Sequence, residues 1–299
     1  MMSEYYQGLE LALLSDSPDE KCWITQDLAK HYLQTATPIE PSSAKPLDFR
    51  FAGRPALPRL VSPSQVSQRK MNSTEGYAAM LHAICHIEFN AINLALDAAY
   101  RFRGLPDDFT RNWLQVAKEE AEHFGLMRAR LRALGYDYGD FEAHNHLWDM
   151  AYKTAFDPLL RMALVPRVLE ARGLDVTPAI RAKVAQRGDL ATCEVLDIIY
   201  RDEVGHVQVG NYWYQYLCQQ RGLEPMALFR QLLSRYDMFI FRGYVNHEAR
   251  ERAGFSRFEL DMLHDFEEAQ KAQKTGEFTE TWKQALSRLP KSADGNTKI

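Results

Sequence analysis

From Ser73 to Gly222 apolar residues return every three or four positions, and the alternation a strand needs is nearly absent. That period lays one apolar stripe along a helix, so the pattern predicts an all-α body. Turn signals set its boundaries. Gly104-Leu105-Pro106 separates a helix over 74–103 from one over 107–134, which ends at Gly135. Residues 136–155 read as a crossover rich in aromatics and histidine, with a short helix near 143–153. Asp157-Pro158 supplies a cap and a first-turn proline for a third helix over 158–172, stopped by Gly173. Thr177-Pro178 starts a short helix, and Asp189 opens a fourth long one over 189–221. Helices over 225–237 and 256–273 follow, and the chain reads as frayed from Ser287.

The flanks follow a different pattern. Residues 3–34 predict two short helices, split where Ser15-Asp16-Ser17-Pro18 restarts the period. Residues 38–68 hold six of the thirteen prolines and no sustained period, yet carry Phe49, Phe51 and Leu60. An extended connector laid over the helical body fits that composition. The expected division is 1–72 (N-terminal helices and connector), 73–222 (the four long helices) and 223–299 (a C-terminal helical extension).

Composition narrows the classes. A chain of 299 residues with 46% hydrophobic content can bury a sizeable core, and a formal charge of −4 gives no push towards nucleic acid or a membrane surface. Cys22, Cys85, Cys193 and Cys218 show no metal-type spacing, which fits reduced thiols in a cytoplasmic protein. The N-terminus lacks a basic patch and a long apolar run, so no signal peptide is expected. No stretch of 18 uncharged apolar residues occurs, so no membrane span is expected.

The chemistry lies in two Glu-x-x-His tetrads, Glu120–His123 and Glu203–His206, each preceded by a lone glutamate, Glu88 and Glu170. The spacing repeats almost in register: 32 residues separate Glu88 from Glu120, and 33 separate Glu170 from Glu203. With 21 Glu and 9 His, chance placement would give about 0.6 tetrads, so the matched spacing carries more weight than the tetrads alone. Residues i and i+3 share a helix face, so each tetrad can aim a carboxylate and an imidazole at one point. Ile84, Cys85, Ala91 and Ile92 flank Glu88, and Val116, Ala117, Phe124 and Met127 flank the first tetrad. A carboxylate on an apolar stripe must be paired, protonated or bound to a cation. Four carboxylates and two imidazoles from four helices form a ligand set for two divalent metals.

The segments His86–Ile92, Glu119–Phe124, Arg161–Asp175 and Asp202–Val207 resemble a bacterial ferritin-like family catalogued as a domain of unknown function. The resemblance covers most of the chain. More distantly the metal motifs resemble tRNA-modifying di-iron hydroxylases, the ribonucleotide reductase small subunit and bacterial multicomponent monooxygenases. It implies a ferritin-like four-helix bundle with a dinuclear site. Glu120 and Glu203 would bridge, Glu88 with His123 would end one metal's ligand set, and Glu170 with His206 the other's.

Carboxylate and imidazole ligands suit iron, then manganese, ahead of zinc, and a pair with open positions can meet O2 as cosubstrate. The leading expectation is therefore an O2-activating oxidase or monooxygenase acting on a small organic substrate. No nicotinamide or flavin motif is present, so a reductant would come from an external donor or the substrate. The alternatives are a tRNA-modifying hydroxylase and a ferroxidase or storage protein. For tRNA the signal is Arg230, Arg235, Arg242, Arg250, Arg252 and Arg257, which an ordinary solvated face explains equally well. Oligomeric state is open, homo-oligomers included. Asp202, Asp197 and Asp97 are candidates to orient the imidazoles. Tyr200, one turn before Glu203, reads as a core residue or a donor beside the site, and Cys85 as a small pocket-lining residue. His82 and His86 point off the face of Glu88, His144 and His146 read as surface histidines near a site mouth, and Asp261–His264 reads as a mimic without a partner glutamate. Pro166, one turn before Glu170, predicts a kink.

Overall fold

The computed structural model describes residues 4–34, 39, 44–67, 71–236, 238 and 244–265. Its elements are α1 (Glu4–Leu14), α2 (Pro18–Gln34), α3 (Thr74–Arg101), α4 (Asp107–Ala133), α5 (His146–Lys153), α6 (Pro158–Leu164), a π-helical turn (Val165–Glu170), α7 (Ala171–Gln186), α8 (Leu190–Gln220), α9 (Pro225–Arg235) and α10 (His247–Arg252). Residues 257–265 form a last helical stretch, a 3-10 turn spans Pro63–Gln65, and one isolated bridge joins Leu60 to Ala143. Among the described residues there is no strand beyond that bridge.

The predicted starts hold for local reasons. Ser73 accepts from the Gly76 amide, Asp157 from Leu159 with Pro158 in the first turn, and Asp189 from Thr192. α3 and α4 pack side by side, α4 packs on α8, and α8 packs on α6, the π turn and α7. α1 and α2 lie on α3 and α4, α5 on α3, α9 on α6, and α10 on α7 and α8. The aromatic and aliphatic core runs through all of them, from Tyr5 and Leu9 to Leu260. Buried Lys21 ends α1 by donating from Nζ to the carbonyls of Ala12 (2.6 Å) and Leu13 (3.2 Å). The connector is pinned by single bonds: Trp148 Nε1 donates to the Arg50 carbonyl, and the Leu47 amide to the Tyr100 hydroxyl.

Two boundaries differ from expectation. The third helix does not stop at Gly173 but continues as α7 to Gln186, straight through Pro178. Proline at 178 removes the amide that would bond the Leu174 carbonyl, and Asn246 Nδ2 donates to that carbonyl instead, at 3.2 Å. A side chain from 72 residues away thus restores what the helix lost. Pro166 does not simply kink its helix either. The backbone widens into a π turn in which the Ala171 amide bonds the Pro166 carbonyl. α5 starts at His146 rather than near 143, and α10 was not anticipated. The expected helix over 256–273 is described only as far as 265, and Ser287 onward lies outside the described residues.

The expectation of no membrane span turns on α3. α3 is long and apolar enough to cross a membrane, since its apolar window tolerates a few ionisable groups. That window is 72% buried against the other helices, so its apolar surface is used within the fold.

Candidate metal centre

The bent rod of α6, π turn and α7 sets where Glu170 sits, and three buried arginines fix that rod. Arg161 on α6 donates to Asp97 of α3 at 2.7 Å and to Thr154 at 2.9 Å. Arg167 donates to Glu259 at 2.5 Å, its guanidinium 4.2 Å and 4.1 Å from the Tyr214 and Phe229 ring centres. Arg250 forks onto Asp175 of α7 at 2.9 Å and 2.8 Å. On the opposite side, Gly210 of α8 meets the proline: a Cβ there would lie 2.4 Å from Pro166 Cβ. Only glycine lets α8 pass the π turn this closely.

Within that frame Glu88, Glu120, His123 and Glu203 each offer a ligand atom, all within 4.8 Å of one another. His123 Nδ1 lies 3.5 Å from Glu88 Oε2 and 3.5 Å from Glu120 Oε2. His206 Nδ1 lies 2.9 Å from Glu120 Oε1 and 3.7 Å from Glu203 Oε1. Glu120 therefore turns one oxygen to each imidazole, and the two rings stand 5.7 Å apart. Glu170 is close enough for its charge to couple to Glu203, Glu120 and His206. Four of the six predicted residues thus converge, His206 adjoins them through Glu120 and Glu203, and Glu170 is linked to them only by the reach of its charge.

The outer ring nitrogens are held by carboxylates. His123 Nε2 lies 3.2 Å from Asp202 Oδ2, and His206 Nε2 lies 2.8 Å from Glu119 Oε2. An Nε2–H donating outward leaves the Nδ1 lone pair facing inward, the tautomer a metal ligand needs. The inward atoms have no hydrogen-bond partner: Glu88 Oε2, Glu120 Oε2, His123 Nδ1, Glu170 Oε2 and His206 Nδ1 are all buried and unsatisfied. Buried polar groups in folded proteins are rarely left so, and the carboxylate and imidazole atoms among these could hold a cation.

Electrostatics agree. Burial pushes the Glu88 carboxyl well above its usual range and raises Glu203, and it lifts Glu170 to about 8 with help from Glu203 and Glu120. Burial opposes a charge on either imidazole, but the carboxylates outweigh it, raising His123 to about 11 and His206 well above the ordinary value. Glu120, between two imidazoles, is held low despite its burial.

The remaining predicted residues sort cleanly. Of the three aspartates offered as imidazole partners, Asp202 is one; Asp97 instead binds Arg161 and Arg101, and Asp197 pairs with exposed Arg181. Tyr200 accepts from Asn246 Nδ2 at 2.9 Å and so is tied to the C-terminal segment. Cys85 is buried with Sγ 3.9 Å from the Phe124 carbonyl, and burial and the Glu88 charge keep its thiol protonated. His86 bonds Tyr138 and the His144 carbonyl on α3's other face, and His82 accepts from the Gly139 amide. His144 and His146 meet edge-on, but only His146 is exposed, His144 being half-buried rather than a surface histidine; His264 is exposed. Glu119 was missed: it directly precedes Glu120 and faces His206 from the solvent side, where a spacing argument has no reason to single it out.

Known proteins add a family but no activity. The chain belongs to the DUF455 family, described as a protein of unknown function, whose pattern matches residues 14–261. It is 48% identical over 281 residues to an uncharacterized protein of Haemophilus influenzae, covering 91% of this chain and 98% of that relative. No solved structure matches the chain.

Proposed function

We propose that this protein is a ferritin-like, O2-activating dimetal oxidoreductase, an oxidase or monooxygenase acting on a small organic substrate. The observation that carries it is Glu120, which splits its two oxygens between the Nδ1 atoms of His123 and His206. A carboxylate shared in this way between two imidazoles could serve both ions of a metal pair. Glu88 with His123 would complete one metal's ligands and Glu170 with His206 the other's, with Glu203 as the second bridge. A pair of iron or manganese ions so held would supply reduction of O2 and oxidation of the substrate. The chain's own part is to exclude water with the apolar stripes of α3, α4 and α8 and to hold both imidazoles by Asp202 and Glu119. Flexible carboxylates can change their mode of attachment as the charge between them changes. The four cysteines are free, in keeping with a cytoplasmic setting.

Of the late arginines offered for tRNA, Arg250 is buried against Asp175 while Arg235, Arg252 and Arg257 are exposed, and Arg242 lies outside the described residues; steeply salt-dependent tRNA binding would be needed to favour that reading. The test is anaerobic loading with two Fe(II) per chain followed by O2. The proposal expects an O2-dependent optical change and stoichiometric O2 uptake, both lost in Glu120→Gln. Two bound irons that stay spectroscopically silent and consume no O2 would overturn it.

A further inference from the structure

A sealed centre needs a way in. Glu88, Glu120 and His123 are buried, and of the four residues that converge within 4.8 Å only Glu203 is partly exposed. Exposure falls inward along the seam between α4 and α8: 28% for the Glu119 side chain, 18% for Asp202, 13% for Glu203 and 1% for Glu120. Glu122 stands with them near the surface, its charge felt by Arg201 together with those of Asp202 and Glu119. At the head of the seam Arg201, itself exposed, forks onto Asp202 at 2.8 Å and 3.0 Å. Beside them α8 carries Gly205, exposed and in the middle of the helix, where an added Cβ would meet nothing within 4 Å. Mid-helix glycine is unfavourable without a reason for the missing side chain. A side chain added here would project into open space, so a charge can be placed at this position without displacing a neighbour.

The rest of the site is less inviting to a cation. Glu170 is also partly exposed, but beyond the site's own residues it feels the positive charge of buried Arg161, which repels an entering cation. α1 and α2 cover α3 and α4, and α10 covers α7 and α8. A graded line of carboxylates ending at unsatisfied Glu120 Oε2 and His206 Nδ1 exists along the seam.

We propose that divalent cations reach the buried centre along the α4–α8 seam, handed inward by Glu119, Asp202 and Glu203, with Arg201 as the competing cation that an entering ion displaces. This rests on the metal-centre reading above, though not on any reaction of the centre. Glu119 and Asp202 then have two roles, since the same carboxylates brace the imidazoles. Arg201 and Gly205 supply no candidate ligand atom, although Arg201 is the outer partner of Asp202 and Gly205 precedes His206, so the equilibrium ion count reports whether the centre survives each change.

The test uses metal-free full-length protein mixed with Co2+ in stopped flow, reading the rise of the Co2+ visible absorption. Gly205→Lys places a like charge in the mouth, Arg201→Gln removes one, and Leu11→Lys on exposed α1 is a charge-matched control. Steering by local charge moves association rates by about tenfold or more, and salt screens it. The expected result is uptake slowed several-fold in Gly205→Lys and accelerated in Arg201→Gln, both effects shrinking at high salt, with Leu11→Lys unchanged. Equilibrium binding stays at two Co2+ per chain in all of them. Two ions bound at wild-type rates in both mouth variants would overturn the seam as the entry. No Co2+ bound by the wild type would overturn the centre itself and the seam with it.

Discussion

Glu119 Oε2 accepts from His206 Nε2 at 2.8 Å, and that bond decides which nitrogen of the ring is left to face Glu120. Asp202 does the same for His123. Removing such a partner frees the ring to rotate or change tautomer and lowers its basicity, typically at a cost of about 10–100-fold in metal affinity. Glu119→Ala and Asp202→Ala should each weaken metal binding by that order in a competition titration, without loss of helical circular dichroism. Affinity unchanged in both would mean the carboxylates are only surface ion-pair partners.

Two glycines in α8 should respond oppositely to alanine. At Gly210 a Cβ would sit 2.4 Å from Pro166 Cβ and 2.5 Å from its Cγ, so Gly210→Ala must push α8 off the π turn. Forcing a methyl into a filled contact costs about 1–3 kcal/mol. At Gly205 there is nothing within 4 Å, so alanine should gain up to about 1 kcal/mol of helix propensity. Thermal unfolding checks both, with a lower Tm for the first and a higher Tm for the second. Equal shifts would contradict the packing described at Pro166.

Acid should destabilise the metal-free protein through two histidines remote from the ligands' face. Burial lowers both His82 and His86 to about 4 from an ordinary 6.5. A depressed folded pKa means the unfolded chain binds the proton first, so stability is fully present above 6.5 and is lost as pH falls towards 4. His82→Phe would forfeit the bond from the Gly139 amide but keep an aromatic ring against Tyr138 and Phe141. The variant should be less stable at pH 7 yet show a shallower loss between pH 6.5 and 4. A slope as steep as the wild type's would show that another group governs acid unfolding.

The sequence made the helical body legible because its signals are local. Apolar period, Ser73, Asp157 and Asp189 caps, and the Gly104–Pro106 break each act within a few residues. The convergence of Glu88, Glu120, His123 and Glu203 was legible for the same reason, since spacing on a helix fixes a face. What the sequence hid is long-range. Gly173 read as a stop and Thr177-Pro178 as a fresh start, but α7 runs through both, and Asn246 reaches back to the Leu174 carbonyl. Pro166 read as a kink and became a π turn because Gly210 leaves it room. Asp97 read as a partner for an imidazole and serves instead as the anchor of buried Arg161. Each miss turns on a contact between residues more than 40 positions apart.

The most direct measurement of the central claim is the metal content of natively purified protein beside a Glu120→Gln variant. If six side chains from four helices hold two cations, the wild type carries two iron or manganese ions per chain. The variant, deprived of the carboxylate shared by both imidazoles, should retain one or none. Wild-type protein that binds no transition metal even after loading, or a variant that keeps both ions at wild-type affinity, would contradict the account.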